Sequence, residues 1–313
     1  MTLTDTPLCA GFMRLSRLGL GTWAFGGGTD WGPAEDGDSL SAVSAALDGG
    51  INWFDSAPVY GDGHAEEVLG RALQGRRDKA FIATKCGLVR FAKGINHWLK
   101  PASVRQELEN SLRRLRTDYI DLYQIHWPDP ATPLADTLQE LVRLRQEGKI
   151  RFIGVCNFSL ELLREACSLA PITTVQGPYS LLDTAKAKAV LPFCQAEKLF
   201  FIAYGALAGG ILTGKYKKMP NIRRADARSY FYRFYKGETF TDYSCPVVER
   251  VRQVAAQQGV CPSAVALAYV LAQAGVKSVL CGARGAAQME ENLTALQVRL
   301  TPQDIAYLEG VCR

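Results

Sequence analysis

Four side chains that can hold or move a proton stand at comparable places in this chain. Asp55 closes the apolar run "INWFD", Lys85 closes "FIATK" and His126 closes "DLYQIH", while Tyr60 follows Asp55 by five residues in a glycine-bearing loop. A carboxylate next to a lysine keeps the ammonium charged and placed, and an ammonium next to a phenol favours the phenolate. The expected result is a Tyr60 whose pKa falls below the ordinary value of about 10, serving as a tuned proton donor and acceptor. Singly, each residue has a plainer explanation: a cap, a surface charge or a satisfied histidine. Together, at the ends of three separate apolar runs, they point to a fold that brings those ends to one place.

The surrounding elements supply such a fold. Eight short apolar runs recur, at 18–23, 51–55, 80–85, 119–126, 152–157, 173–176, 200–204 and 278–282. Helical spacing fills the gaps: Val104, Leu108, Leu112 and Leu115 form one stripe, and Leu134, Leu138, Leu141 and Val142 another, opened by Pro133 and closed by Gly148. Apolar strands alternating with helices imply a parallel sheet covered on both faces. Eight such units in 313 residues predict a closed (β/α)8 barrel. In that architecture the C-terminal strand ends meet on the catalytic face, which unites Asp55, Lys85 and His126 and lets Tyr60 fold back over them. No linker rich in Pro, Gly or Ser interrupts the pattern, so one domain over residues 1–313 is expected.

Two stretches invite a cofactor reading. "GLGTWAFGGG" holds Gly19-x-Gly21-x-x-Ala24, but a dinucleotide fingerprint needs a helix directly after its glycines, and Gly26, Gly27, Gly28, Gly32 and Pro33 argue that none starts there. The better phosphate site is the last strand, "SVLCG", running into the helix start "ARGAAQMEENL". Barrels often bind phosphate after strands 7 and 8 at a helix N-terminus, and Arg284 offers a bidentate contact. No acid is evident there to bind a ribose 2′-hydroxyl. Ser180 and the connection 207–215 are expected to flank the same ligand.

Composition narrows the classes. The chain is 48% hydrophobic with no apolar run long enough to span a membrane, and its N-terminus lacks a signal-peptide pattern, so no membrane and a cytoplasmic location are expected. Nine cysteines without Cys-x-x-Cys spacing predict free thiols, and three histidines (His64, His97, His126) without a paired motif predict no metal. The segment 215–236 carries a net +7 and leaves −2 elsewhere. Its interleaved aromatics (Tyr216, Tyr230, Phe231, Tyr232, Phe234, Tyr235) resemble a nucleic-acid patch, but the mildly acidic remainder favours a local anion site. The connection 207–245 is too long for a passive loop and is expected to clasp an anionic cofactor or to dock a partner, such as a second copy of the chain.

These stretches, with "FDSAPVYGDGHAEEVLGRAL", "SVRQELENSLRRLRTDYIDLYQIHWPD", "LVRLRQEGKIRFIGVCNFS" and "YGALAGGILTGKY", resemble the aldo-keto reductases from about Leu18 to the C-terminus. The resemblance implies an NADPH-binding barrel with Asp55, Tyr60, Lys85 and His126 as its tetrad. It implies that Asn157 and Gln176 hold the nicotinamide carboxamide and that Tyr204 stacks on the ring. Gly21, Thr22 and Trp23 would line the nicotinamide end, with Gly205, Ala206, Leu207, Gly209 and Lys215 along the pyrophosphate. Gly282, Arg284, Gln288, Glu291 and Asn292 would surround the adenosine 2′-phosphate and adenine. Trp23, Tyr60, His126 and Trp127, with Trp31 and Trp98 nearby, would wall an aromatic pocket for a small carbonyl or alcohol. Two departures stand out: an abbreviated N-terminal hairpin, and Gly205-Ala206 where many members read Ser-Pro. The rival readings are a cofactor-binding regulatory or redox-sensing subunit with little turnover and a Schiff-base aldolase acting through Lys85.

Overall fold

A computed structural model describes residues 6–7, 14–92, 94–221, 226, 228–232 and 239–310. Eight parallel strands close into a barrel: β1 (Leu18–Gly21), β2 (Trp53–Asp55), β3 (Phe81–Cys86), β4 (Ile120–Ile125), β5 (Ile150–Cys156), β6 (Ile172–Pro178), β7 (Phe200–Tyr204) and β8 (Val276–Gly282), each paired with its neighbours and β8 with β1. Every apolar run in the sequence contributes its strand, with ends displaced by at most a few residues. Outside the barrel lie α1 (Asp36–Asp48), α2 (His64–Ala72), α3 (Pro101–Leu115), α4 (Leu134–Gln146), α5 (Leu160–Leu169), α6 (Ala185–Ala196), α7 (Cys245–Gln258), α8 (Pro262–Leu271), α9 (Ala286–Leu293) and α10 (Pro302–Glu309). The fold is a (β/α)8 barrel. No single helix among the described residues is long and apolar enough to cross a membrane.

Period-two alternation decides what enters the barrel. Phe54, Ile82, Tyr123, Val155 and Phe201 point outward into the layer shared with the helices. Their neighbours Trp53, Phe81, Ala83, Leu122, Phe200 and Ile202 fill the interior. Continuing the inward series toward the C-terminal ends brings Asp55 two residues after Trp53 and Lys85 two after Ala83. Both polar groups therefore occupy the layer above the apolar plug.

The plug explains a glycine and the short hairpin. A Cβ on Gly19 would lie 2.1 Å from the Trp53 ring, so only glycine admits that indole to the barrel. Trp53 Nε1 donates to Ser16 O at 3.2 Å and Ser278 Oγ at 3.1 Å. At the N-terminus Thr6–Pro7 pairs antiparallel with Arg14–Leu15, and Leu15 joins the plug, so the abbreviated hairpin still closes the barrel bottom.

One local expectation needs correction, and one feature is new. The glycine-rich stretch after β1 is not free of helix: Trp23–Gly26 forms a 3-10 turn and Gly28–Trp31 one α-turn, because left-handed glycines 27, 28 and 32 break the chain between single turns and do not forbid them. The framework helix α1 begins only at Asp36. Between β3 and α3 an unforeseen antiparallel hairpin, Leu88–Phe91 with Gly94–His97, rises from the mouth.

Candidate active site

The three strand ends meet as the topology requires. Lys85 is fully buried, and its ammonium donates to Asp55 Oδ1, to Ser56 O at 2.7 Å and to Tyr60 Oη at 3.4 Å. Asp55 Oδ2 accepts Gln176 Nε2 at 2.9 Å and Gln124 Nε2 at 3.3 Å. A buried carboxylate is costly unless its lone pairs are met, and here an ammonium and two amides meet them. Thr22 holds the strand end from β1, with its Oγ1 donating to Asp55 O at 3.1 Å and contacting Ser56 Oγ at 2.9 Å. The His126 and Tyr60 rings meet edge to face, centroids 5.8 Å apart, and Trp23 stacks on the phenol at 5.8 Å.

Tyr60 reaches this position because two glycines let two loops touch. A Cβ on Gly26 would lie 2.6 Å from Gly61 N, and one on Gly61, where φ is +60°, would lie 2.3 Å from Gly26 O. The 3-10 turn Tyr60–Gly63 therefore seats directly on the turn bearing Trp23. Trp23 extends to Trp31, centroids 5.3 Å apart. The hairpin after β3 rims the same mouth: Arg90 Nε donates to Asp62 Oδ1 at 2.6 Å, and His97 Nδ1 lies 2.6 Å from Pro128 O with its ring 6.3 Å from Trp127. Trp98 is half-exposed and packs on Phe91 of that hairpin.

The electrostatics correct the expectation for Tyr60. Burial pushes the phenol up to about 12, and Lys85 pulls it down while Asp55 pushes it up again. The ammonium does favour the phenolate, but its charge is already matched by Asp55, and desolvation prevails. Burial opposes the Lys85 charge too, yet Asp55 and then Tyr60 outweigh it, and the lysine's pKa is raised. Burial, with Lys85 and His97 nearby, holds His126 well below the ordinary histidine range, so its imidazole is neutral at pH 7.

The neighbouring strands add an amide chain. Asn157, left-handed at φ +63°, donates from Nδ2 to His126 O at 3.0 Å and accepts Tyr204 Oη at 2.8 Å. Gln176, grouped with Asn157 by the resemblance, donates from Nε2 to Asp55 Oδ2. Gln124 and Ser56 belong to the site and were missed by the sequence reading. The signal for Gln124 was its place two residues before His126 on the inward face of β4.

Beyond β7 the chain winds through Gly205, Ala208, Gly209 and Gly210, all at positive φ. Leu207 and Ala206 lie in this turn, and Lys215 packs its stem near Gly210 and sets its ammonium 5.0 Å from the Tyr216 ring centroid. Tyr232 folds back to donate to Gly209 O at 2.7 Å, and Arg228, paired with Asp226 at 2.6 Å, lies 5.9 Å from the Trp31 centroid. Much of the basic segment, including Arg223, Arg224, Arg233, Phe234, Tyr235 and Lys236, lies outside the described residues. Ser180 Oγ accepts Leu182 N and Asp183 N, both at 3.1 Å, in a local turn.

At the far end Gly282 pairs with Gly21 across β8 and β1, and a Cβ on Gly282 would meet nothing within 4 Å, which leaves an open groove. Arg284 is exposed; its N–H donates to Gln288 Oε1 at 2.8 Å and its Nη2 to Pro33 O at 2.7 Å. Asn292 Nδ2 donates to Gly282 O at 3.1 Å, and Ser263 donates to Glu291. The expectation of an acid-free end is overturned. Glu35 and Asp38, from the start of α1, line the same cavity as Arg284 because β1 and β8 are barrel neighbours and bring their following turns together.

Comparison with known proteins agrees with this geometry. The model of the aldo/keto reductase family matches residues 17–313. A solved glycerol dehydrogenase from Gluconobacter oxydans superposes with a TM-score of 0.89 at 37% identity, over 99% of this chain and 95% of that one. The NADH-specific methylglyoxal reductase of Escherichia coli strain K12 is 34% identical, over 96% of each chain. An aldo/keto reductase from Klebsiella pneumoniae, solved with NADP and acetate, has a TM-score of 0.75 at 28% identity, over 96% of this chain and 92% of that one. A barrel carrying this cluster at its mouth, matched along nearly its whole length, belongs to the aldo/keto reductase family.

Proposed function

We propose that this chain, acting as one domain, is an NADP(H)-dependent oxidoreductase that reduces a small carbonyl to an alcohol, and runs in reverse, with Tyr60 as the proton donor. The observation that carries it is Tyr60 Oη at 3.4 Å from an ammonium held by Asp55, beside a neutral His126, at an aromatic mouth. The groove fits a dinucleotide. The paired glycines Gly21 and Gly282 leave backbone bare where a side chain would fill it, and Arg284 supplies a cation at a helix start.

When bound, the nicotinamide supplies a hydride for the carbonyl carbon. The chain's own residues manage the oxygen. Raised toward about 12, the Tyr60 phenol keeps its proton at pH 7 and can donate it as negative charge develops on the oxygen. The phenolate left behind is then stabilised by Lys85, whose charge Asp55, Gln124 and Gln176 hold in place. His126, neutral, donates a hydrogen bond that orients the oxygen without competing for the proton. Asn157 and Tyr204 line the nicotinamide side, and Trp23, Trp31 and Trp127 exclude water from the substrate side.

The connection 207–245 acts as a clasp. It is tied to the turn after β7 through Tyr232 and to the mouth through Arg228 and Trp31. NADPH is therefore expected to protect this basic segment from trypsin.

A screen of NADPH oxidation across sugars, aliphatic and aromatic aldehydes, ketones and phosphorylated carbonyls tests the reading. Turnover on at least one class, lost in Tyr60→Phe, supports it. Tight NADPH binding with no turnover on any class points to the regulatory-subunit reading.

A further inference from the structure

At the adenosine end, the turn after β8 faces the first turn of α1 across a surface cavity of about 490 Å³. Arg284 and Gln288 line one wall, Glu35 and Asp38 the other. The walls are close and tied together. Ala286 N donates to Ser41 Oγ at 3.2 Å, Arg284 Nη2 reaches Pro33 O at 2.7 Å, and a Cβ on Gly285 would lie 3.9 Å from Asp38 Cβ.

The charges across this gap do not balance. Asp36, between the two acids in sequence, is engaged by Arg71 and by His64 at 2.8 Å. Glu35 and Asp38 are exposed, and neither has an ion-pair partner among the described residues. One cation therefore faces two uncommitted carboxylates.

On the reading that this cavity receives the adenosine ribose of the cofactor, we infer that Glu35 and Asp38 set the balance between NADPH and NADH. A 2′-phosphate carries about −1.5 to −2 charges at pH 7, so Arg284 attracts it while the two acids oppose it. A 2′-hydroxyl is neutral and donates to a carboxylate, so the same acids welcome NADH. The protein binds NADPH through Arg284 and accepts NADH through the acids. Exposure and salt limit each carboxylate to a modest share of the discrimination.

The test is binding, not turnover. NADP+ and NAD+ are titrated into the full chain by tryptophan fluorescence quenching, and 2′,5′-ADP and 5′-AMP by calorimetry. In Glu35→Gln/Asp38→Asn, NADP+ and 2′,5′-ADP are expected to tighten by about tenfold, the scale of two exposed like-charge contacts removed. NAD+ and 5′-AMP are expected to hold steady or weaken by up to about threefold. Each single variant should give an intermediate effect, smaller at high salt, and unchanged melting temperatures would show that these exposed sites leave the fold intact. Equal tightening for both nucleotides, or none for either while Arg284→Ala still weakens NADP+ selectively, overturns the inference and leaves the oxidoreductase reading standing. A wild-type chain that binds neither nucleotide overturns both.

Discussion

At the mouth, Asp55, Lys85, Gln124 and Gln176 sit on four different strands, buried and tied together through the Asp55 carboxylate, while Gln124 Oε1 has no hydrogen-bond partner among the described residues. At the proposed adenosine end, Arg284, Gln288, Glu35 and Asp38 lie on helix-start turns, exposed and loosely engaged. The barrel's hydrogen-bond register locates the first group, so a displaced side chain there strands a buried charge. The second group is set by loops, and its charges can change without disturbing the barrel. Under the proposed function, chemistry and nucleotide choice would thus be separable in this protein.

The largest expected effect strikes the mouth alone. Tyr60→Phe should lower kcat by at least ~100-fold, the scale for removing a general acid, with the Kd for NADPH within about twofold of wild type. Steady-state kinetics beside fluorescence titration measures both, and a parallel loss in Kd would show that the two regions are not separable.

The converse change should strike the other end alone. Arg284→Ala is expected to weaken NADPH by about 1.5–3 kcal/mol, as for a lost charged hydrogen bond, while leaving single-turnover hydride transfer at saturating cofactor near wild type. Stopped-flow traces at saturation report that rate directly.

A smaller effect sharpens the comparison at the rim. Glu107 accepts Gly87 N through both carboxylate oxygens, at 3.2 and 3.1 Å, just beyond β3, and burial raises its pKa to about 8, while the Gly87 hydrogen bond pulls the other way. The folded state therefore favours the protonated acid. Its stabilising contribution is full below the ordinary glutamate range near 4.3 and is lost as pH rises through about 8. Glu107→Gln should melt a few degrees above wild type at pH 9 and show less loss of Tm between pH 5 and 9. Parallel calorimetric profiles would show that this acid does not set the pH dependence.

The smallest effect concerns His126, whose lowered pKa means that the folded state resists its protonation. The associated stability is present above about pH 6.5 and falls away below it. His126→Asn should flatten the stability profile between pH 5 and 6.5, measured by urea unfolding.

The sequence by itself determined the barrel and the positions of the polar groups at its mouth. Buried strands must be continuous apolar runs, helices must carry stripes, and a polar residue ending such a run marks the mouth, so Asp55, Lys85 and His126 are legible in residue order alone. What the tertiary structure decided depends on distance through space. Pro33 and Arg284 meet across 251 residues of sequence because the barrel closes β8 onto β1, and that closure carries Glu35 and Asp38 to the arginine. The same holds for the direction of the Tyr60 shift. Chain order shows which charges are available, but only packing decides how much water is removed from a phenol and whether its neighbouring ammonium is already spent on Asp55.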